Sequence, residues 1–252
     1  MTDGGQKRFT AAAVIPARWG AHRLPGKPLL AETGKPLIQH VWERVKGAER
    51  LDTLVVATDD ARIHEAVLAF GGRSVMTRDD HPSGTDRVAE VAEGLDVDVV
   101  INVQGDEPEI DPVDLDRLIE RLEQGDEEMA TLARPLGADE TSIHNDPHAV
   151  KVVFGESGRA FYFSRSPIPH GDEPLGAHLH LGVYAFRRDA LFRFAGAPPT
   201  RLEQRERLEQ LRALDLGMSI GIVVTDNDAL GIDTADDYAR FVKHCTSLGT
   251  TP

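Results

Sequence analysis

Three cations, Arg18, Arg23 and Lys27, stand close together in the run Pro16-Ala17-Arg18-Trp19-Gly20-Ala21-His22-Arg23-Leu24-Pro25-Gly26-Lys27-Pro28. Two glycines lie among them. Such a loop can wrap a polyphosphate with backbone N–H groups while Arg and Lys neutralise its charge. It is not a Walker A loop, because five residues separate Gly20 from Gly26 and Pro28 replaces the hydroxyl residue that would hold Mg²⁺. A second group is Asn102-Val103-Gln104-Gly105-Asp106-Glu107-Pro108. Asp106, at the end of an apolar run, can hold a hard cation that bridges phosphate oxygens, although Gly105 and Asp106 equally suit an ordinary turn. A third, His81-Pro82-Ser83-Gly84-Thr85-Asp86-Arg87, offers a capping hydroxyl and a helix N-terminus suited to an anionic or carbonyl-bearing ligand. Asp233, in Gly231-Ile232-Asp233-Thr234-Ala235-Asp236-Asp237, reads first as a turn residue and becomes a metal ligand only if the fold sets it beside Asp106. Arg165, His180 and Tyr184 stand among strand residues and could read a sugar acid, Arg165 through its carboxylate and the others through hydroxyls; a satisfied core or surface role is the alternative. Glu209 and Gln210 are polar positions on a leucine-bearing helix, where a solvated face is the plain reading.

These residues need a frame. Apolar runs at Ala11–Ile15, Leu54–Ala57, Ser74–Thr77 and Val97–Val103 read as strands, with Pro16 expected to stop the first. Helical spacing follows in Leu37, Ile38, Val41, Trp42 and Val45, in Ile63, Ala66, Val67 and Phe70, and in Leu115, Leu118, Ile119 and Leu122. Thr85–Glu93 is a further helix, Thr58-Asp59-Asp60 is good N-cap chemistry, and Asp111-Pro112 opens the helix that carries Leu115. The alternation predicts an α/β fold with a mostly parallel central sheet and helices on both faces. Ligands of such sheets bind at the carboxyl ends of the strands, which is where Arg18 and Asp106 fall. Further on, strand patterns at Ala130–Ala133, Val150–Phe154, Ala160–Phe163 and Leu181–Phe186 form a β-rich elaboration, roughly residues 130–190, on one body spanning residues 1–252. Leu208, Leu211 and Leu214 mark a helix, Ser219–Val224 a strand, and Thr234–His244 a last helix.

Composition narrows the function classes. The 252 residues carry 28 Lys and Arg against 42 Asp and Glu, a net charge of −14, which makes a poor generic binder of nucleic acid or anionic membrane. An anionic ligand would need a local positive pocket built against that field. No apolar run is long enough for a membrane span, the N-terminus lacks signal-peptide pattern, and one cysteine, Cys245, excludes an internal disulfide. A soluble, cytoplasmic protein is expected.

Taken in order, VIPARWGAHRLPGKPL, VVATDD, DHPSGTDRVAE, INVQGDEP, YFSRSPIP, HLGVYAFR, LEQLRAL and GIDTADD make the chain similar to the 3-deoxy-manno-octulosonate (Kdo) cytidylyltransferases, from about residue 10 to 245. LPGKPL marks the broad sugar nucleotidyltransferase superfamily; INVQGDEP with SGTDR and HLGVY is more specific. The resemblance implies a nucleotide-diphospho-sugar transferase-like fold and the reaction of CTP with Kdo to give CMP-Kdo and pyrophosphate, with Mg²⁺, for lipopolysaccharide synthesis in a Gram-negative-type bacterium. It implies catalytic roles for Arg18, Lys27 and Asp106, and metal binding by Asp106 and Asp233. Ala17, Arg18, Arg23, Lys27, Ser83, Gly84 and Gln104 would bind the nucleotide. Gln104, Arg165, His180, Tyr184, Glu209 and Gln210 would bind Kdo. A homodimer is also implied, with the β-rich part at the interface. The rival readings are a cytidylyltransferase for 8-amino-Kdo or a sialic acid, a GT-A-like glycosyltransferase, and a non-catalytic nucleotide-binding module. A glycosyltransferase would more often show D-x-D after a central strand, where this chain has Gln-Gly-Asp-Glu.

Overall fold

The structure, a computed structural model, describes residues 8–20, 24–171, 174–228 and 231–247. Its strands are β1 (Ala11–Ala17), β2 (Thr53–Thr58), β3 (Ser74–Met76), β4 (Val99–Asn102), β5 (Met129–Pro135), β6 (Lys151–Phe154), β7 (Ala160–Ser164), β8 (His178–Arg187) and β9 (Ile220–Val224). Its helices are α1 (Leu37–Val45), α2 (Ala61–Ala69), α3 (Gly84–Glu93), α4 (Pro112–Gln124), α5 (Thr141–Asn145), α6 (Arg188–Ala195), α7 (Arg201–Glu206), α8 (Gln210–Asp215) and α9 (Ala235–Ser247), with a 3₁₀ turn at Lys27–Leu29. The sheet runs β3-β2-β1-β4-β8-β5-β9, and β6 pairs with both β7 and β8. The β1–β2, β1–β4, β2–β3 and β5–β9 pairs are parallel, while β8 lies antiparallel between β4 and β5. The segment expected as a β-rich elaboration therefore extends the main sheet through β5 and β8, and only β6 and β7 stand off its path.

Side-chain alternation along the strands builds two cores. From β1, Ala11, Ala13, Ile15 and Ala17 face one layer with Ile38 and Val41 of α1 and Leu115 and Leu118 of α4. Ala12 and Val14 face the other with Val88 and Ala92 of α3 and Leu191 and Phe194 of α6. This is the period-2 consequence of a strand buried on both sides. Asp60, Ser83 and Asp111 each cap a helix by accepting a backbone N–H two or three residues on.

Pro16 does not stop β1, which continues to Ala17 paired with Thr58. The β1–β4 ladder ends at Val14 with Asn102, and the Pro16 carbonyl faces Gly105 beyond it. The missing N–H points to that same side and breaks no ladder bond. A Cβ on Gly105 would lie 2.9 Å from the Pro16 oxygen, so the approach of the Asp106 loop to the end of β1 requires glycine there.

Candidate active site

The two cores leave open the carboxyl ends of β1 and β4, and a cavity of about 330 Å³ lies there. Ala17 and Arg18 come from the end of β1, Lys27 from the 3₁₀ turn, Ser83 and Gly84 from the start of α3, and Gln104 and Asp106 from the loop after β4. Asp233 joins them from just before α9. A small separate core draws it in: Leu24 and Leu30 of the basic loop pack with Leu37, Ile232, Tyr238 and Phe241. Backbone bonds complete the join. Ile232 N–H donates to Asp106 O at 2.8 Å, and Glu32 N–H donates to the Tyr238 hydroxyl at 3.0 Å. Thr234 and Asp237 cap α9 reciprocally, the Asp237 carboxylate also accepting Asp233 N–H, so the backbone around Asp233 is fixed.

At the centre, Lys27 Nζ donates to Asp106 Oδ2 at 2.5 Å and to Ile232 O at 2.8 Å, and lies 3.9 Å from Asp233 Oδ1. One ammonium thus bridges two carboxylates that are far apart in sequence. The same oxygens are hard donors, and a monocation already seated on them shows that the spot accepts positive charge. They fit Mg²⁺, which is commonly held by one or two carboxylates with substrate phosphates and water completing its shell. Among the described residues no group of three His, Cys, Asp or Glu side chains converges. The α3 N-terminus, capped by Ser83, adds a positive backbone end on the same cavity.

A second cluster adjoins the first on the α3 side of the sheet. Asn102 donates to the Thr85 hydroxyl at 3.1 Å, and that hydroxyl donates to Glu209 Oε2 at 2.8 Å. The Tyr184 hydroxyl donates to Gln210 Oε1 at 3.1 Å. His180 contacts Thr131 Oγ1 at 3.0 Å through Nε2. Since that hydroxyl gives its own proton to Val183 O at 2.7 Å, the imidazole is the donor and Nδ1 is left as an acceptor. Phe163 and Tyr184 pack against the His180 ring. Asn102 Oδ1 and Gln210 Nε2 are buried and have no hydrogen-bond partner among the described residues.

Burial shifts the titratable groups of the cluster toward their neutral forms. Burial lowers His180 to about 3, so it is neutral at physiological pH. Burial pushes Glu107 up to about 8, with the Asp106 charge adding to it. Tyr184 is raised by burial and by Glu209 and Glu107, and Glu209 is raised by burial against the opposing hydrogen bond from Thr85. Hydroxyl and amide dipoles dominate here, whereas full charges gather around Lys27.

Most of the expected site residues therefore converge, with two exceptions. Arg23 lies outside the described residues. Arg165 stands apart from the cavity lining and is held by the protein: Nε donates to Glu206 O at 2.7 Å and Nη1 to Pro147 O at 2.9 Å, while Glu206 accepts its backbone N–H at 2.9 Å. These bonds hold the end of α7 to β7 and leave guanidinium N–H groups over, so Arg165 stays a candidate for the acceptor carboxylate. Glu107, Asn102 and Thr131 are site neighbours that the sequence did not single out. Glu107 could have been found from its place beside Asp106; Thr131 could not, because only the β5–β8 pairing brings it to His180. A larger cleft of about 590 Å³ lies between α1 and α9, but mixed charges line it and none of the expected site residues does.

The cytidylyltransferase family model matches residues 12–220. A 3-deoxy-manno-octulosonate cytidylyltransferase of Syntrophotalea carbinolica is 45% identical, over 95% of this chain and 100% of that one. One of Myxococcus xanthus is 47% identical over 90% and 93%. Among solved structures, a CMP:2-keto-3-deoxy-manno-octonic acid synthetase complexed with CTP superposes with a TM-score of 0.89 at 42% identity, covering 95% of this chain and 99% of that one. A 4-diphosphocytidyl-2C-methyl-D-erythritol synthase from Anaerococcus prevotii shares the fold, with a TM-score of 0.66 at 12% identity.

Proposed function

This chain belongs to the 3-deoxy-manno-octulosonate cytidylyltransferase family, and we propose that it transfers CMP from CTP to the anomeric hydroxyl of Kdo. The observation that carries the site assignment is Lys27 bridging Asp106 and Asp233 in the cavity that Arg18 lines. In this reading the anomeric oxygen attacks the α-phosphorus in line. A phosphorus–oxygen bond forms to the sugar, and the bond to the pyrophosphate oxygen breaks. Such chemistry asks for positioning and charge neutralisation. Arg18 and Lys27 bind the phosphate tail, helped by the α3 N-terminus, and Ala17, Ser83, Gly84 and Gln104 shape the nucleotide side. Gln104, His180, Tyr184, Glu209 and Gln210 orient the acceptor through hydroxyl contacts. Asp106 and Asp233 would hold Mg²⁺, which when bound neutralises phosphate charge and makes the hydroxyl easier to deprotonate.

Two further proposals go with this reading. Phe161 on the edge strand β7 is 68% exposed and Leu175 is 81% exposed, which favours a homodimer through the β-rich segment, to be checked by sedimentation. Among the described residues no helix is long and apolar enough to cross a membrane. We place the reaction in the cytoplasm, where CTP is made, and its product in lipopolysaccharide synthesis.

The test is pyrophosphate release from CTP or UTP with a panel of keto sugar acids, with and without Mg²⁺. Release with CTP, Kdo and Mg²⁺ is expected. Release only with 8-amino-Kdo or a sialic acid, or equal release without divalent cation, would overturn the substrate or the metal assignment respectively.

A further inference from the structure

Arg18 and Lys27 flank a loop, and their usefulness depends on what holds its base. The Trp19 carbonyl accepts Gly26 N–H at 3.2 Å, and Gly26 O in turn accepts Leu29 N–H at 2.9 Å to start the 3₁₀ turn that carries Lys27. Gly26 has φ 70°, and a Cβ there would lie 2.9 Å from the Trp19 ring. Both the handedness and the space require glycine. On its own account the indole stacks on Arg62, whose Cζ lies 3.4 Å from the ring centroid. Arg62 is held in turn by two side-chain hydrogen bonds to Asp60, at 3.0 and 2.6 Å, and Asp60 caps α2. Neither Trp19 nor Arg62 lines the cavity.

We propose that Trp19, stacked on Arg62 and seated on Gly26, is the positioning residue that registers Arg18 and Lys27 against Asp106. The chain of contacts ties the basic loop to the β2–α2 junction, one strand away from the site, so the two cations share one rigid reference. A planar guanidinium over an indole face is suited to this, because it combines cation–π attraction with flat stacking that an ammonium cannot reproduce. The inference rests on the reading of the loop as the CTP phosphate site.

The test uses Arg62→Ala, Arg62→Lys, Trp19→Ala and Trp19→Phe in the full chain, with CTP binding measured calorimetrically and KM measured for CTP and Kdo separately. Removing the exposed Arg62 side chain is expected to weaken CTP roughly 3- to 5-fold and to leave KM for Kdo unchanged. Trp19→Ala is expected to cost about tenfold or more, Trp19→Phe to recover most of it, and Arg62→Lys not to recover it. The double variant Trp19→Ala with Arg62→Ala should be no weaker than Trp19→Ala alone, since the pair acts as one unit. In a Trp42→Phe background the remaining indole emission should become more accessible to acrylamide when Arg62 is removed. Wild-type CTP affinity in Arg62→Ala, or additive losses in the double variant, would overturn the proposal. Failure of the wild-type protein itself to bind CTP would instead overturn the underlying reading of the site.

Discussion

The two halves of the site are built by different physics. The proposed phosphate half is made of charged residues on loops: Arg18, Lys27, Asp106 and Asp233, with Lys27 touching both acids. The proposed acceptor half is made of groups on a strand and a helix, His180, Tyr184, Glu209 and Gln210, and burial shifts its titratable members toward their neutral forms. Charge is needed where a polyanion must be gathered by an acidic protein, and it works best where it can be neutralised in turn. Hydroxyl recognition needs fixed dipoles in a dry setting, and a misplaced charge there would be expensive to bury. Changes in the first half should therefore strike rate, and changes in the second should strike acceptor affinity or the pH range of stability.

The largest expected effect belongs to Asp106→Ala. Turnover should fall by at least about a thousandfold with the melting temperature little changed, as expected when a partly exposed carboxylate proposed to hold Mg²⁺ is lost. Near-normal turnover at saturating Mg²⁺ would break the division between the halves at its centre. Lys27→Ala should lower kcat by about a hundredfold and leave KM for Kdo within about twofold, because the lost contact is to the phosphate tail. A rise in KM for Kdo alone would place Lys27 in the wrong half.

Gln210→Ala probes the other side. It removes the acceptor of the Tyr184 hydroxyl and a buried amide with an unpaired nitrogen. KM for Kdo should rise about tenfold while KM for CTP holds, the equivalent of one polar contact. Equal effects on both substrates would erase the comparison. The smallest effect is one of pH. His180 titrates at about 3 in the folded chain, below its ordinary value of 6.5, so between those values the unfolded state binds the extra proton. Its contribution is to take stability away as pH falls below about 6.5, by about 2 kcal/mol at pH 5. His180→Asn should flatten the fall in urea midpoint between pH 7 and pH 5; an unchanged slope would mean that His180 is not held neutral by burial.

Legibility followed the same boundary. The charged half could be read locally: Arg18 to Lys27 after one strand, Gln104 to Asp106 after another, with Asp233 the conditional member. What the sequence did not contain was the small core of Leu24, Leu30, Ile232 and Tyr238 that brings Asp233 to Lys27, because hydrophobic residues on a loop and on a distant helix announce no pairing. In the acceptor half, residue types were legible but contacts were not. Thr131 meets His180 only through the β5–β8 register, and the carbonyls that accept from Arg165 come from segments distant in the chain. Among the elements, the helix at Arg188–Ala195 was missed because it follows β8 without a turn and with no side-chain cap. Pro16 was misread because a proline's effect depends on which side of the strand its missing donor faces.

Binding of Mn²⁺ followed by electron paramagnetic resonance, with CTP present and no acceptor, addresses the shared carboxylate seat most directly. Wild-type protein should bind the ion in its CTP complex, and Asp106→Asn and Asp233→Asn should each weaken it by at least about tenfold while still binding CTP in the absence of metal. If both variants held Mn²⁺ as tightly as the wild type, the ion would sit elsewhere and the meeting of Asp106, Asp233 and Lys27 would have no part in the chemistry.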